Sequence, residues 1–204
     1  MPTVHNYGSL SVKTIVGFGA STMAGVGDSQ GGFFKRVEQA QWQRDPHSQF
    51  INLGLGGNTT RDMLRRAGTV KAIPADDLVV VLGCNDLPRT NDQSPAIRTT
   101  SVEYTRNLQL LLTEIRSQRS FFISSFLVDA ERTGIQKATF DSYMGAAIQI
   151  AGSQGYSIWN LDQECQADIS RYWAADGMHF NDAGHQLIAD GVLRWLEQGP
   201  GGER

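Results

Sequence analysis

Four short stretches of this chain carry the residue types that acyl transfer requires. Gly19-Ala20-Ser21 sets a hydroxyl directly behind an apolar run, Gly54-Leu55-Gly56-Gly57-Asn58 is a glycine-rich turn, and Gly83-Cys84-Asn85-Asp86 presents a carboxamide. Near the C-terminus, Asp176-Gly177-Met178-His179 spaces a carboxylate three residues ahead of an imidazole. A serine hydroxyl attacks a carbonyl only when a base takes its proton, and a histidine titrating near neutrality does this and later returns the proton to the leaving group. His179 is the candidate base for Ser21. A carboxylate bonded to the other ring nitrogen fixes the tautomer and stabilises the imidazolium, and the three-residue spacing lets one tight turn hold Asp176 there. The developing oxyanion needs preorganised donors. The Ser21 N–H, a glycine N–H of the second stretch and the Asn85 amide are candidates, each such donor being worth roughly 10²–10³ in rate.

These groups act together only if the fold brings the four stretches to one place. Five short runs rich in β-branched and aromatic residues, Thr14 to Phe18, Phe50 to Leu53, Leu78 to Leu82, Phe121 to Phe126 and Tyr156 to Leu161, are expected as buried strands. Between them the apolar period becomes helical. The clearest case is SVEYTRNLQLLLTEI, with Val102, Leu108, Leu111, Leu112 and Ile115 on one face and Thr100 and Glu103 spaced as a capping box. Further helices are expected over Gly32 to Arg44, Thr60 to Ile73, Gln136 to Ser153 and Asp182 to Glu197, the last capped by Asn181 and turning Leu187, Ile188, Val192, Trp195 and Leu196 inward. Five β-α units imply a three-layer α/β/α sandwich of the flavodoxin-like kind, a five-stranded parallel sheet with helices on both faces. Ligands of such sheets bind beyond the carboxyl ends of the strands, where the first three stretches lie.

In order and spacing the four stretches resemble the SGNH or GDSL hydrolase superfamily, from residue 14 to residue 196. Gly19-x-Ser21-x-x-x-Gly25 is similar to its first block, Asn52-x-Gly54-x-Gly56-Gly57-Asn58-Thr59 to its second, Gly83-x-Asn85-Asp86 to its third and Asp176-x-x-His179 to its last. The resemblance implies Ser21 as nucleophile, Ser21, Gly57 and Asn85 as oxyanion donors, and Asp176 with His179 completing the triad. It also implies small-molecule substrates: acyl esters, acyl thioesters or acetylated sugars. Gly27-Asp28-Ser29 spells the family's Gly-Asp-Ser literally, yet no strand runs into it, whereas Lys13 to Phe18 runs directly into Ser21. Ala20 departs from the family, which often has aspartate there. Gly57 is preferred to Gly56 because it stands three residues before Thr60, the expected helix start.

Each feature taken alone has a plainer explanation: Ser21 as a helix N-cap, the glycines as a tight turn, Asn85-Asp86 as turn chemistry, Asp176 and His179 as surface loop residues. All four would have to hold at one sheet edge. A catalytically idle ligand-binding domain with the same fold is the alternative function. His5, His47 and His185 have no partner motif, His185 falling within the last helix as a packed or solvated residue. The loop Pro88 to Thr99 is a candidate lid, Val128 to Ile135 a second wall, and Trp173 a packing residue or pocket lining.

With 204 residues the chain fits one domain with its core over about 14–197. Eighteen basic against twenty-one acidic side chains, a net charge of -3, lack the footprint that a phosphate backbone needs, so no nucleic-acid partner is expected. Cys84 and Cys165 fit no metal or redox spacing and are expected as free thiols. Gly17 to Thr22 lacks the third glycine of a dinucleotide fingerprint, no metal motif is present, and Met23 stands where a Gly-x-Ser-x-Gly elbow needs glycine, so no cofactor or metal is expected. The opening MPTVHNYGSLSV is not a signal sequence and no run reaches the roughly 20 apolar residues of a membrane span, so a cytoplasmic protein is expected.

Overall fold

The computed structural model describes residues 12–90, 99–165 and 168–199. Five strands, β1 (Thr14–Gly19), β2 (Gln49–Gly54), β3 (Asp77–Val81), β4 (Arg119–Ile123) and β5 (Ser157–Trp159), form one sheet in the order β2-β1-β3-β4-β5. All four pairings are parallel. The order reverses between β1 and β3, and the crevice at their carboxyl ends is where a sheet of this topology binds ligands.

Alternation along the strands divides the core in two. Val16, Phe18, Leu78, Val80 and Phe122 face α3 (Thr60–Arg65), α4 (Ala67–Lys71), α5 (Ser101–Ile115) and α7 (Lys137–Ser153). Ile15, Val79, Val81, Phe121 and Ile123 face α2 (Phe33–Arg44), α8 (Leu161–Cys165) and α9 (Asp182–Glu197). The three-layer sandwich is thus the observed architecture. Two short helices, α1 (Ser21–Ala24) and α6 (Ala130–Thr133), and a 3₁₀ turn at Ile169–Tyr172 lie in the loops. Among the described residues, no helix is long and apolar enough to cross a membrane.

Several expectations need correction. β2 and β5 are half-exposed rather than buried, because they are the two edges of the sheet. β4 begins and ends earlier than its apolar run, and residues 124–126 continue toward the next loop without a ladder. Val102 is 79% exposed. It stands two residues, about 200° of turn, from Tyr104, which with Leu108, Leu111, Leu112 and Ile115 makes the buried face of α5. The Thr100 cap forms, accepting the Glu103 N–H, but the return bond does not, because the Glu103 carboxylate pairs with Arg61 at 2.7 Å. The single helix expected over Thr60 to Ile73 is two helices, α3 and α4, broken at Arg66. Its start is as expected, where Thr59 and Asp62 form a complete capping box.

Candidate active site

Ser21 is the first residue of α1, directly beyond β1, and is 9% exposed. Helix α1 sits down on the sheet edge because Gly54 has no side chain. A Cβ there would lie 2.6 Å from the Met23 carbonyl carbon and closer still to the Ala24 nitrogen. Asn52 completes the seat, donating its side-chain amide to Met23 O at 2.8 Å while its oxygen accepts the Gly54 N–H at 2.9 Å. The helix that begins with Ser21 is therefore held by β2 as well as by β1, the strand that leads into it.

The second and third loops are stitched to the first and to each other. Leu55 N–H donates to Gly19 O at 3.1 Å, the Asn85 amide donates to Asn58 O at 3.0 Å, and Asp86 accepts both the N–H and the hydroxyl of Thr60 at 2.8 and 2.7 Å. Residues 55–58 form a turn closed by Asn58 N–H to Leu55 O, and Gly57 has φ 77°, a left-handed conformation that glycine adopts without strain. That is a backbone reason for glycine at 57 that position 56 does not share. Among the described residues, neither the Ser21 N–H nor the Gly57 N–H has a hydrogen-bond acceptor. Cys84, between Gly83 and Asn85, contacts Ser125 Oγ at 3.4 Å, and burial pushes its thiol up to about 11, so it is no competing nucleophile.

Asp176 and His179 meet as their spacing suggests. The carboxylate reaches His179 Nδ1 at 2.6 Å and accepts the N–H groups of Met178 and His179, each at 2.9 Å. Burial alone would raise the Asp176 pKa; the bonds from His179 and Met178 outweigh it and hold it down at about 2. An ionised Asp176 requires the proton on Nδ1, which leaves Nε2 as the basic nitrogen. The turn is braced from outside: Asp129 N–H donates to Gly177 O at 2.8 Å, Arg132 to Ala175 O at 2.9 Å, and the Trp173 indole to Leu127 O at 3.0 Å. Trp173 is thus a packing residue, and the wall expected over Val128 to Ile135 is the buttress of the dyad.

The loop after α1 lies against the dyad. Gly27 faces Phe180 O and His179 Cβ so closely that a side chain there would collide, and Val26, one residue earlier, donates its N–H to Ser21 O at 3.0 Å. No hydrogen bond joins Ser21 to His179 among the described residues; such bonds are often long before substrate binds. Ser29 has another task. Its N–H and hydroxyl both bind the Asp182 carboxylate, at 2.8 and 2.6 Å, pinning the loop to the start of α9. His185 is fully buried, accepting the Phe33 N–H at Nδ1 and facing Val26 O with Nε2, both at 3.1 Å. It is a packed residue that holds the same loop.

Residues 91–98 of the candidate lid, and His5, lie outside the described residues. A groove of about 800 Å³ lined by Arg116, Arg119 and Trp195 lies at the amino ends of β4 and β5, opposite the candidate site. Two residues near the carboxyl ends of β1 and β2 escaped the sequence reading in their roles: Asn52, above, and Arg66, whose guanidinium reaches Leu53 O at 3.1 Å. Asn52 was legible only as the first residue of the second block and Arg66 not at all, because the carbonyls they bind belong to segments remote in sequence.

The profile of the GDSL-like Lipase/Acylhydrolase family matches residues 18–187. No curated protein matches the chain. Among solved structures, a lipase/acylhydrolase from Enterococcus faecalis superposes with a TM-score of 0.79 at 20% identity, covering 95% of this chain and 100% of its own. Axe2, an acetylxylan esterase from Geobacillus stearothermophilus, superposes with a TM-score of 0.73 at 21% identity over 89% of this chain and 93% of its own. Axe2 variants with a single histidine or a single serine replaced by alanine are described as catalytic mutants. At these identities the likeness establishes the common fold, and the family match goes further: the chain belongs to the GDSL-like lipase/acylhydrolase family and is an esterase/lipase-like hydrolase acting on ester bonds.

Proposed function

We propose that this single domain hydrolyses carboxylic esters or thioesters through an acyl-enzyme on Ser21, with His179 as base, Asp176 as its orienting carboxylate, and Ser21, Gly57 and Asn85 as oxyanion donors. The observation that carries the reading is the Asp176–His179 pair, whose 2.6 Å contact leaves His179 Nε2 free to take a proton. As Ser21 Oγ bonds to the acyl carbon, its proton passes to Nε2. The carbonyl oxygen gains the negative charge, which the N–H groups of Ser21 and Gly57 and the Asn85 side-chain amide stabilise as donors. Collapse expels the alcohol or thiol, which leaves with the proton from His179. Water then repeats the sequence on the acyl-serine and releases the acid.

Substrates are small: acyl esters, acyl thioesters or acetylated sugars, the last supported by the likeness to an acetylxylan esterase. The test is hydrolysis of a chromogenic panel of short and long acyl esters and an acyl thioester by wild type, Ser21→Ala and Ser29→Ala. Turnover abolished by Ser21→Ala and kept by Ser29→Ala is expected. Wild-type turnover in Ser21→Ala would overturn the assignment.

A further inference from the structure

The break at Arg66 between α3 and α4 turns one side chain toward the carboxyl ends of β1 and β2. Arg66 Nη1 donates to Leu53 O at 3.1 Å, Nη2 approaches Gly19 O at 3.5 Å, and the guanidinium lies 4.9 Å from the centre of the Phe18 ring. Gly19 O is also the acceptor of the Leu55 N–H. One planar fork therefore joins the last carbonyl of the strand that leads to Ser21 to the penultimate carbonyl of the strand that leads to Gly57, flanking the final register pair Gly19↔Gly54.

As a stabilising device this arrangement is poor. Arg66 Nε is buried without a hydrogen-bond partner, and among the described residues no carboxylate comes within ion-pair distance of the guanidinium. The nearby Asp62 carboxylate is engaged with Thr59. A half-buried cation that leaves a donor unmet costs free energy that an apolar side chain would not. Local rules broken in this manner are expected where function requires them.

We infer that Arg66 is a positioning residue for the oxyanion donors. Its fork fixes the separation of the two strand ends, so that the Ser21 and Gly57 N–H groups converge on one point, and its unpaired charge stands behind that point as the substrate oxygen becomes anionic. The inference rests on the serine-hydrolase reading above. It predicts that the residue is needed in the transition state more than in the ground state, and more for turnover than for folding.

The experiment compares wild type, Arg66→Met, Arg66→Lys and Ser21→Ala in hydrolysis of p-nitrophenyl acetate, with thermal melting of each. Arg66→Met is expected to melt no lower than wild type while kcat falls on the order of 10²-fold, the effect of a displaced donor set. KM should stay within about threefold, since a group acting only in the transition state leaves ground-state binding alone. Arg66→Lys, which keeps the charge and loses the fork, should recover part of kcat. Wild-type kcat in Arg66→Met, beside an inactive Ser21→Ala, would overturn the role of Arg66 and leave the nucleophile intact. A loss in Arg66→Met that follows a lowered melting temperature, with Arg66→Lys restoring both, would make the residue structural and also overturn it. Activity surviving in Ser21→Ala would remove the reading on which it rests.

Discussion

Asp176 Oδ2 lies 2.6 Å from His179 Nδ1, while Oδ1 of the same carboxylate accepts the backbone N–H of His179 at 2.9 Å. One side chain thus sets both the position of the histidine and the tautomer of its ring. Asp176→Asn keeps the size and loses the acceptor that holds the Nδ1 proton, so turnover should fall by roughly 10²–10⁴ in ester hydrolysis. A loss under tenfold would remove Asp176 from the triad. Because the carboxyl pKa is depressed from 3.8 to about 2, the stability it contributes is complete above 3.8 and fades as pH falls toward 2. Asp176 therefore stays charged through the neutral range.

Asn85 donates one amide hydrogen to Asn58 O at 3.0 Å, which aims the group between the second and third loops. Asn85→Ala should cost about 2.7–4 kcal/mol of transition-state stabilisation, read as a fall in kcat. Steady-state kinetics on one good ester decide the matter, since a fall in kcat below tenfold would exclude Asn85 from the oxyanion site.

Gly54 is where α1 touches β2. In Gly54→Ala the new methyl meets backbone atoms of Met23 and Ala24, which do not yield as a flexible side chain would. Overpacking of this kind costs typically 1–3 kcal/mol, and it pushes α1, which carries Ser21, off its seat. Chemical denaturation should show the loss of stability, and turnover measured well below the unfolding transition should still be reduced. Full turnover in the folded variant would mean that the seat does not position Ser21.

His185 is neutral in the fold, since Nδ1 accepts the Phe33 N–H and a proton there would meet that donor. Burial lowers its pKa below 6.5, against the opposing pull of Val26 O and Asp28. For a histidine depressed in the folded state, the stability it contributes is complete above 6.5 and is lost as pH falls from there toward the folded value. Melting temperature followed from pH 7.5 downward should begin to fall near 6.5, and His185→Gln should flatten that part of the curve. An unchanged slope would contradict the neutral, buried histidine.

The strands, the layers and the Asp176–His179 contact of the candidate site were readable in the sequence because each rests on local period or spacing: runs of Val, Ile and Phe for the sheet, a three-residue turn for Asp176 and His179. Edges were not, since nothing in Phe50 to Leu53 or Tyr156 to Leu161 says which strand has a neighbour on one side only. The break at Arg66 was hidden for the same reason. Thr60 to Ile73 has helical period throughout, and the carbonyls of Leu53 and Gly19 that Arg66 meets at the break come from strands remote from it in sequence. The literal Gly27-Asp28-Ser29 was the opposite hazard, a familiar string whose serine is engaged by Asp182.

The most direct measurement is covalent capture of the nucleophile: incubate wild type, Ser21→Ala and Ser29→Ala with a fluorophosphonate and map the adduct by peptide mass spectrometry. A single adduct on Ser21, present in wild type and Ser29→Ala and absent from Ser21→Ala, is the predicted result. An adduct on Ser29, or none in a wild-type protein that hydrolyses esters, would contradict it.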